Sequence, residues 1–68
     1  MRKYLIALRN EKNFTQKQMA QKLDISESYY NQIEKGERQK KMDITLLNRL
    51  STVLETPITV LIEHENKL

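Results

Sequence analysis

Four polar side chains near the middle of this chain are spaced to make hydrogen bonds from one face of a helix. They are Glu27, Ser28, Asn31 and Gln32, within a helix predicted over about Glu27–Lys35. An amide such as that of Gln32 carries both an acceptor and donors, the combination that makes a two-bond contact to adenine. A helix start with small polar residues is also an ordinary solvated surface, and the four residues taken alone favour that interpretation.

No set of residues in the sequence is typical of catalysis or of a metal site. The chain has no cysteine, and its one histidine, His64, has no cluster of carboxylates beside it. The serines have no general base next to them in the sequence. We therefore expect no enzymatic activity, no metal and no cofactor.

The positive charge of the chain is concentrated in its first part. Residues 1–42 contain ten Lys and Arg against five Asp and Glu, whereas residues 43–68 contain two against four. A basic surface attracts polyanions, of which nucleic acid is the commonest, although a pI near 9.3 also keeps a small protein soluble. No apolar run approaches the ~18 residues that a membrane span needs, so we expect no membrane partner.

Length and periodicity predict one all-α domain over residues 1–68, because a chain this short builds only one core. Apolar residues recur at spacings of three and four, which indicates helices. The first helix is predicted over about Arg2–Glu11, with a buried stripe of Met1, Leu5 and Leu8. The stripe predicted for the fourth helix is Ile44, Leu47, Leu50 and Leu54. Thr56-Pro57 opens a fifth, since proline suits the first helical position.

Local signals mark three helix starts and two helix ends. Thr15 and Gln18 form a T-x-x-Q capping box, and Ser26 and Asp43 are N-cap residues. An apolar pair spans each start as a hydrophobic staple: Phe14 with Met19, Ile25 with Tyr30, and Met42 with Leu47. Residues able to adopt a left-handed conformation follow the first and third helices, at Asn13 and Gly36.

The second and third helices are separated only by Asp24, Ile25 and Ser26. A three-residue turn with an apolar centre is typical of a helix-turn-helix, here from about Thr15 to Gly36. In that arrangement the start of the third helix projects from the body of the domain. Its free N–H groups and the positive end of its dipole favour phosphates nearby.

A longer pattern runs through the same region: Leu5, Leu8, Arg9, Phe14-Thr15-Gln16, Met19-Ala20, Leu23, Ile25-Ser26, Tyr30 and Gln32-Ile33-Glu34-Lys35-Gly36. With this pattern the sequence resembles the XRE family of helix-turn-helix regulators, the group of the phage repressors and Cro. The resemblance implies a compact five-helix, lambda-repressor-like fold that binds a double-stranded DNA operator. It also implies a cytoplasmic, prokaryotic or phage-encoded transcription regulator, a repressor rather than an activator.

The resemblance assigns roles to individual positions. Glu27, Ser28 and Gln32 match base-reading positions, with Asn31 on the same face. Gln16 matches a residue that grips a phosphate and braces the recognition helix. The other positions assigned to the DNA backbone are Lys17, Ser26, Tyr29, Lys35, Arg38, Lys40 and Lys41. Arg9 and Glu34 match a structural ion pair between the first and third helices. Asp24 replaces the glycine of the family's turn, where the resemblance implies a left-handed backbone that aspartate tolerates.

Some positions leave alternatives open. Glu27 either accepts a hydrogen bond from cytosine or acts as a helix cap, and capping is the preferred interpretation. Tyr29 contacts the DNA backbone or a thymine methyl group, or packs over the second helix. The loop from Glu37 to Met42 is longer than the family pattern, so the sequence does not decide which of Arg38, Lys40 and Lys41 contact phosphate.

The sequence also suggests a second copy of the chain as a partner. A DNA reader without a further domain gains specificity by pairing two half-sites, so we expect a symmetric dimer. Its contacts are predicted on the C-terminal helix at Val60, Leu61 and Leu68. The alternative function is that of an antitoxin-like or antirepressor module of the same fold, whose partner is a protein.

Overall fold

The computed structural model describes residues 1–68 and contains five helices and no strand. The helices are α1 (Lys3–Glu11), α2 (Gln16–Leu23), α3 (Glu27–Lys35), α4 (Ile44–Leu54) and α5 (Ile58–Asn66). The predicted all-α class is therefore confirmed. Pro57 lies one position before the first helical residue of α5, not at that residue as predicted.

The predicted N-caps of α2, α3 and α4 are confirmed by their hydrogen bonds. The Thr15 hydroxyl accepts from the backbone N–H of Gln18 at 3.0 Å, and the Gln18 side chain accepts from that of Thr15 at 2.8 Å. Ser26 Oγ accepts from the N–H of Tyr29, and Asp43 Oδ1 accepts from that of Leu46. Each cap satisfies a backbone donor that the helix itself leaves unpaired, so each helix start is fixed locally.

Four helices end in the same way, with a left-handed residue after the last turn. The residues are Asn13 (φ 58°), Asp24 (φ 58°), Gly36 (φ 80°) and Glu55 (φ 51°). In α3 the N–H of Gly36 bonds to the carbonyl of Ile33, and that of Glu37 bonds to the carbonyl of Gln32, which is a Schellman motif. The first three were predicted. Glu55 was not, because glutamate is rarely left-handed.

The core is formed by side chains from all five helices. α2 packs on α3 and α4, α4 packs on α5, and α1 packs on α3. The buried apolar residues are Leu5, Met19, Ala20, Leu23, Tyr30, Ile33, Leu46, Leu47, Leu50, Leu54 and Leu61. The second member of each predicted staple belongs to this core, and the first is partly buried against it.

Two of the predicted stripes need correction. Ile44 is 65% exposed, and Leu46 takes its place in the core, because the first residue of α4 lies beyond the end of the packed interface. Met1 is 67% exposed, and the buried residue at that end of α1 is Arg2. Burial at these helix ends depends on where the neighbouring helices stop, which periodicity does not report.

Arg2 is the largest side chain that is fully buried, and its five N–H groups all have acceptors. Nε and Nη2 donate to the Glu65 carboxylate at 2.8 Å and 3.1 Å. Nη1 donates to the carbonyls of Ile33 and Arg38, and Nη2 also donates to that of Gln39. One side chain thus joins the end of α3, the segment after it and α5.

None of the helices has the length and apolar character of a membrane-spanning segment. No group of three or more His, Cys, Asp or Glu side chains is placed to bind a metal ion.

Candidate nucleic-acid interface

The turn between α2 and α3 is built from Asp24, Ile25 and Ser26. Asp24 reverses the chain in the left-handed conformation, and the backbone N–H of Ile25 closes the end of α2 on the carbonyl of Ala20 at 3.0 Å. Ile25 is partly buried against the core. Ser26 then caps α3, so the start of α3 is held in place by backbone geometry and by one apolar anchor.

Glu27, Ser28, Asn31 and Gln32 form one surface of α3, which we call the reading edge. Glu27 and Ser28 are exposed in the first turn, whereas Asn31 and Gln32 are half-buried. Positions three and four apart lie together on a helix, so Ser28 adjoins both Asn31 and Gln32. The four polar side chains therefore form one continuous patch.

The cap of α3 is Ser26 and not Glu27. Ser26 Oγ accepts the Tyr29 N–H at 3.1 Å, while the Glu27 carboxylate makes no hydrogen bond within the chain. The preferred capping interpretation of Glu27 is thus wrong in its hydrogen bonding, because Ser26 occupies the cap position and Glu27 is the first residue of the helix itself. Glu27 keeps only its favourable position at the positive end of the helix dipole.

Gln16 links the reading edge to the interior. Its Oε1 accepts from Nδ2 of Asn31 at 3.1 Å, and its Nε2 donates to Oε1 of Glu34 at 2.8 Å. An amide nitrogen carries two N–H groups, so one donor of Gln16 is still free for an acceptor outside the chain.

Glu34 is 2% exposed and is the centre of a buried polar network. Arg9 donates to it from Nε at 2.7 Å, and the Tyr30 hydroxyl donates at 2.6 Å. The hydrogen bond to Glu34 raises the pKa of Arg9. Burial, then the hydrogen bond to Glu34, raises the pKa of Tyr30 above its ordinary value. The Glu34 carboxylate therefore has two neutral donors and one charged donor, and the network is fully satisfied.

Four lysines surround the reading edge or follow it: Lys17, Lys35, Lys40 and Lys41. All four are exposed, and none of their ammonium groups is hydrogen-bonded within the chain. Such side chains have positive charge to offer a phosphate without breaking an internal contact.

The segment of residues 37–42, which we call the basic loop, is fixed to α3 by Arg38 and Gln39. Nε of Arg38 donates to Oε1 of Gln32 at 3.1 Å, and Nε2 of Gln39 donates to the Tyr29 hydroxyl at 2.8 Å. The Tyr29 ring is partly buried against the core. Tyr29 therefore faces the basic loop with its hydroxyl and has its own O–H left to donate.

The C-terminal helix differs from the predicted dimer surface. Leu61 is 0% exposed and belongs to the core, so its predicted role in a dimer contact is wrong: it packs inward on its own chain. Val60 is half-buried, and Leu68 is 65% exposed.

Tyr4 of α1 forms a polar and aromatic cluster with two residues of α5, His64 and Glu65. The rings of Tyr4 and His64 stack with their centroids 4.7 Å apart, and the Tyr4 hydroxyl donates to Glu65. Burial, followed by the hydrogen bond to Glu65, raises the pKa of Tyr4.

Sequence reasoning missed three residues that position the basic loop: Arg2, Gln39 and Glu65. Arg2 and Glu65 lie 63 positions apart, and neither stands in a pattern that marks it as buried. Gln39 has a left-handed backbone (φ 55°), which only its place in a loop could have suggested.

Comparison with known proteins agrees with this geometry. A family model described as helix-turn-helix matches residues 5–61, which includes the whole of α2, the turn and α3. No curated protein and no solved structure matches the chain significantly.

Proposed function

The chain belongs to the XRE-type helix-turn-helix family of DNA-binding regulators, and we propose that it binds a specific operator through the reading edge. α3 enters the major groove, and Glu27, Ser28, Asn31 and Gln32 face the base pairs. The observation that carries the proposal is a polar helix start left open to solvent beside a turn that fixes its direction.

The roles within the reading edge follow from which groups are free. Ser28 has an uncommitted hydroxyl, and Gln32 has an uncommitted Nε2, so these two make the direct base contacts. Asn31 already donates a hydrogen bond from Nδ2 to Gln16, and it contributes its Oδ1 as an acceptor for a base. The Glu27 carboxylate accepts only, which suits the amino group of a cytosine.

The DNA backbone is held on both sides of α3. Gln16, Lys17 and Ser26 contact phosphates at the starts of α2 and α3. Lys35, Lys40 and Lys41 supply charge at the other end, and Tyr29, whose hydroxyl lies against Gln39 of the basic loop, donates its O–H there. Each lysine that neutralises a phosphate adds about 0.9 to the slope of log affinity against log salt concentration.

A selection from random duplexes, followed by binding titrations at several salt concentrations, tests this proposal. We expect one enriched sequence and a clear salt dependence. Ser28→Ala and Gln32→Ala should each lose about 1–3 kcal/mol of preference for the selected site. Thr59→Ala removes an exposed hydroxyl on α5 and serves as the matched control for Ser28→Ala. Equal affinity for all duplexes would contradict sequence-specific binding.

We further propose that two copies bind a symmetric operator, with half-sites roughly 34 Å apart on one face of the duplex. Val60 and Leu68 remain the candidates for the contact between the copies, since both retain accessible surface. Selected sites should be inverted repeats, and sedimentation should give two chains per duplex. A selected site without symmetry would refute the dimer.

We propose repression as the regulatory effect. In a purified transcription reaction, adding the protein should lower the yield from a promoter that overlaps the selected site, because the bound protein excludes the polymerase. Increased transcription would indicate an activator. If no duplex is bound even at low salt, co-purification of a protein partner would favour the antitoxin-like or antirepressor alternative.

A further inference from the structure

Arg38 is attached to α3 in a way that the other cations of the basic loop are not. Its side-chain Nε donates to Oε1 of Gln32 at 3.1 Å, and its backbone N–H donates to the carbonyl of the same residue at 3.3 Å. Its own carbonyl accepts from the buried guanidinium of Arg2 at 3.2 Å. Lys40 and Lys41 make no such contacts. The Arg38 guanidinium is therefore kept next to the reading edge.

The hydrogen bond to Gln32 leaves a defined set of donors. An arginine has five N–H groups and no acceptor, and Arg38 uses only the one on Nε. The four N–H groups on Nη1 and Nη2 remain, on a side chain that is exposed. Arg38 thus presents two donor nitrogens beside the free Nε2 of Gln32.

This donor set selects one base. In the major groove guanine presents two acceptors, N7 and O6, which match the two terminal nitrogens of a guanidinium. Adenine presents one acceptor and one amino donor, and a group with donors only has nothing to offer that amino group. Cytosine and thymine do not offer two adjacent acceptors.

We propose that Arg38 is a base-reading residue that selects a guanine beside the base pair contacted by Gln32, and does not serve as a phosphate contact of the basic loop. The proposal rests on the proposed function, since it requires α3 in the major groove. Gln32 orients Arg38 through its Oε1 and contacts its own base through Nε2.

The test compares Arg38→Ala with Lys41→Ala, which removes the same charge from the same loop. Binding-site selection with each variant should show that Arg38→Ala loses a guanine preference at one position per half-site and keeps the preferences elsewhere. Replacing that guanine by adenine should weaken the unaltered protein roughly ten- to hundredfold and Arg38→Ala hardly at all. Lys41→Ala should weaken binding to all duplexes alike and reduce the salt slope by about 1.

A modified operator tests the same contact on the unaltered protein. 7-Deazaguanine lacks the N7 acceptor and should weaken binding when it replaces the selected guanine, but not when it replaces a guanine outside the half-site. Arg38→Lys retains the charge and loses the planar fork, so it should keep the salt slope and lose most of the guanine preference.

A different pattern would overturn the proposal while leaving the proposed function intact. If Arg38→Ala weakens all duplexes alike, lowers the salt slope by about 1 and keeps every sequence preference, Arg38 contacts a phosphate. If the unaltered protein selects no sequence, the proposed function itself fails.

Discussion

Arg2→Ala is expected to lower the free energy of unfolding by about 3–5 kcal/mol, the cost of removing one partner from a buried ion pair. Arg2 is 1% exposed, and Glu65, its partner, has 13% of its side chain exposed. The substitution leaves the Glu65 carboxylate with only the Tyr4 hydroxyl as a donor. It also removes the side-chain donors to the carbonyls of Ile33, Arg38 and Gln39.

That loss is large for a chain of 68 residues. At about 0.05–0.15 kcal/mol per residue, its whole stability is about 3–10 kcal/mol. Each kcal/mol corresponds to about 4–8 °C in Tm for a domain of this size, so a drop of at least about 12 °C is expected. Thermal and urea unfolding followed by circular dichroism measure both quantities.

Lys3→Ala is the control, because Lys3 is exposed and is the next residue in the chain. It should change the stability by no more than about 0.5 kcal/mol. Combining Arg2→Met with Glu65→Gln should cost less than the sum of the single changes, since no charge is then left unpaired. If Arg2→Ala is as mild as Lys3→Ala, the buried contacts of Arg2 do not stabilise the fold as expected here.

Three further predictions concern Tyr30, the end of α4 and the C-terminal helix. Because burial and the hydrogen bond to Glu34 raise the pKa of Tyr30, the unfolded chain ionises first. The contribution of Tyr30 to the free energy of unfolding is complete below about pH 10 and is lost as the pH rises above it. Unfolding measured as a function of pH should therefore show a weaker alkaline fall in stability for Tyr30→Phe than for the unaltered protein. An unchanged decline would contradict this assignment. Glu55→Gly should raise the unfolding free energy by up to about 1 kcal/mol, since glycine adopts the left-handed backbone without strain and the ion pair with Lys12 that is lost is largely exposed and contributes little. Thr52→Gly inside α4 should instead lower it. Leu61→Lys should abolish the folded state seen by circular dichroism, whereas Leu68→Lys should leave it intact and weaken only the assembly of two chains on the operator.

The helix boundaries could be predicted because the contacts that set them are local. Thr15, Ser26 and Asp43 each bond to a backbone N–H three residues later, and the chemistry of a cap is contained in that short segment. The left-handed ends at Asp24 and Gly36 are local as well. Side-chain types that tolerate a positive φ are few, so their positions carry information.

The errors concern contacts between residues far apart in the sequence. Periodicity gives the apolar face of a helix, but it does not say where the neighbouring helix ends, and so it misjudged Met1 and Ile44. Burial of Arg2 depends on a carboxylate 63 positions away and on carbonyls at the end of α3. The residues next to Arg2 in the sequence do not indicate whether an arginine just before a helix is buried in this way or exposed to solvent.

The same long-range contacts decide which polar groups are available to DNA. Glu34 accepts a hydrogen bond from Gln16, and Gln16 accepts one from Asn31. Two residues expected to contact DNA are therefore already held by hydrogen bonds within the chain. A surface group that has an internal partner loses rotational freedom before it binds, which lowers the entropy cost of ordering it. Gln32 and Arg38 likewise constrain each other at the C-terminal end of the reading edge. Within the reading edge, Glu27 and Ser28 are the two residues whose side chains have no such partner. We therefore expect the larger part of the sequence preference to come from the held pair of Gln32 and Arg38. Within the range of about 1–3 kcal/mol, Ser28→Ala should cost less preference than Gln32→Ala, and the tolerance for sequence variation should lie at the base pair facing Glu27.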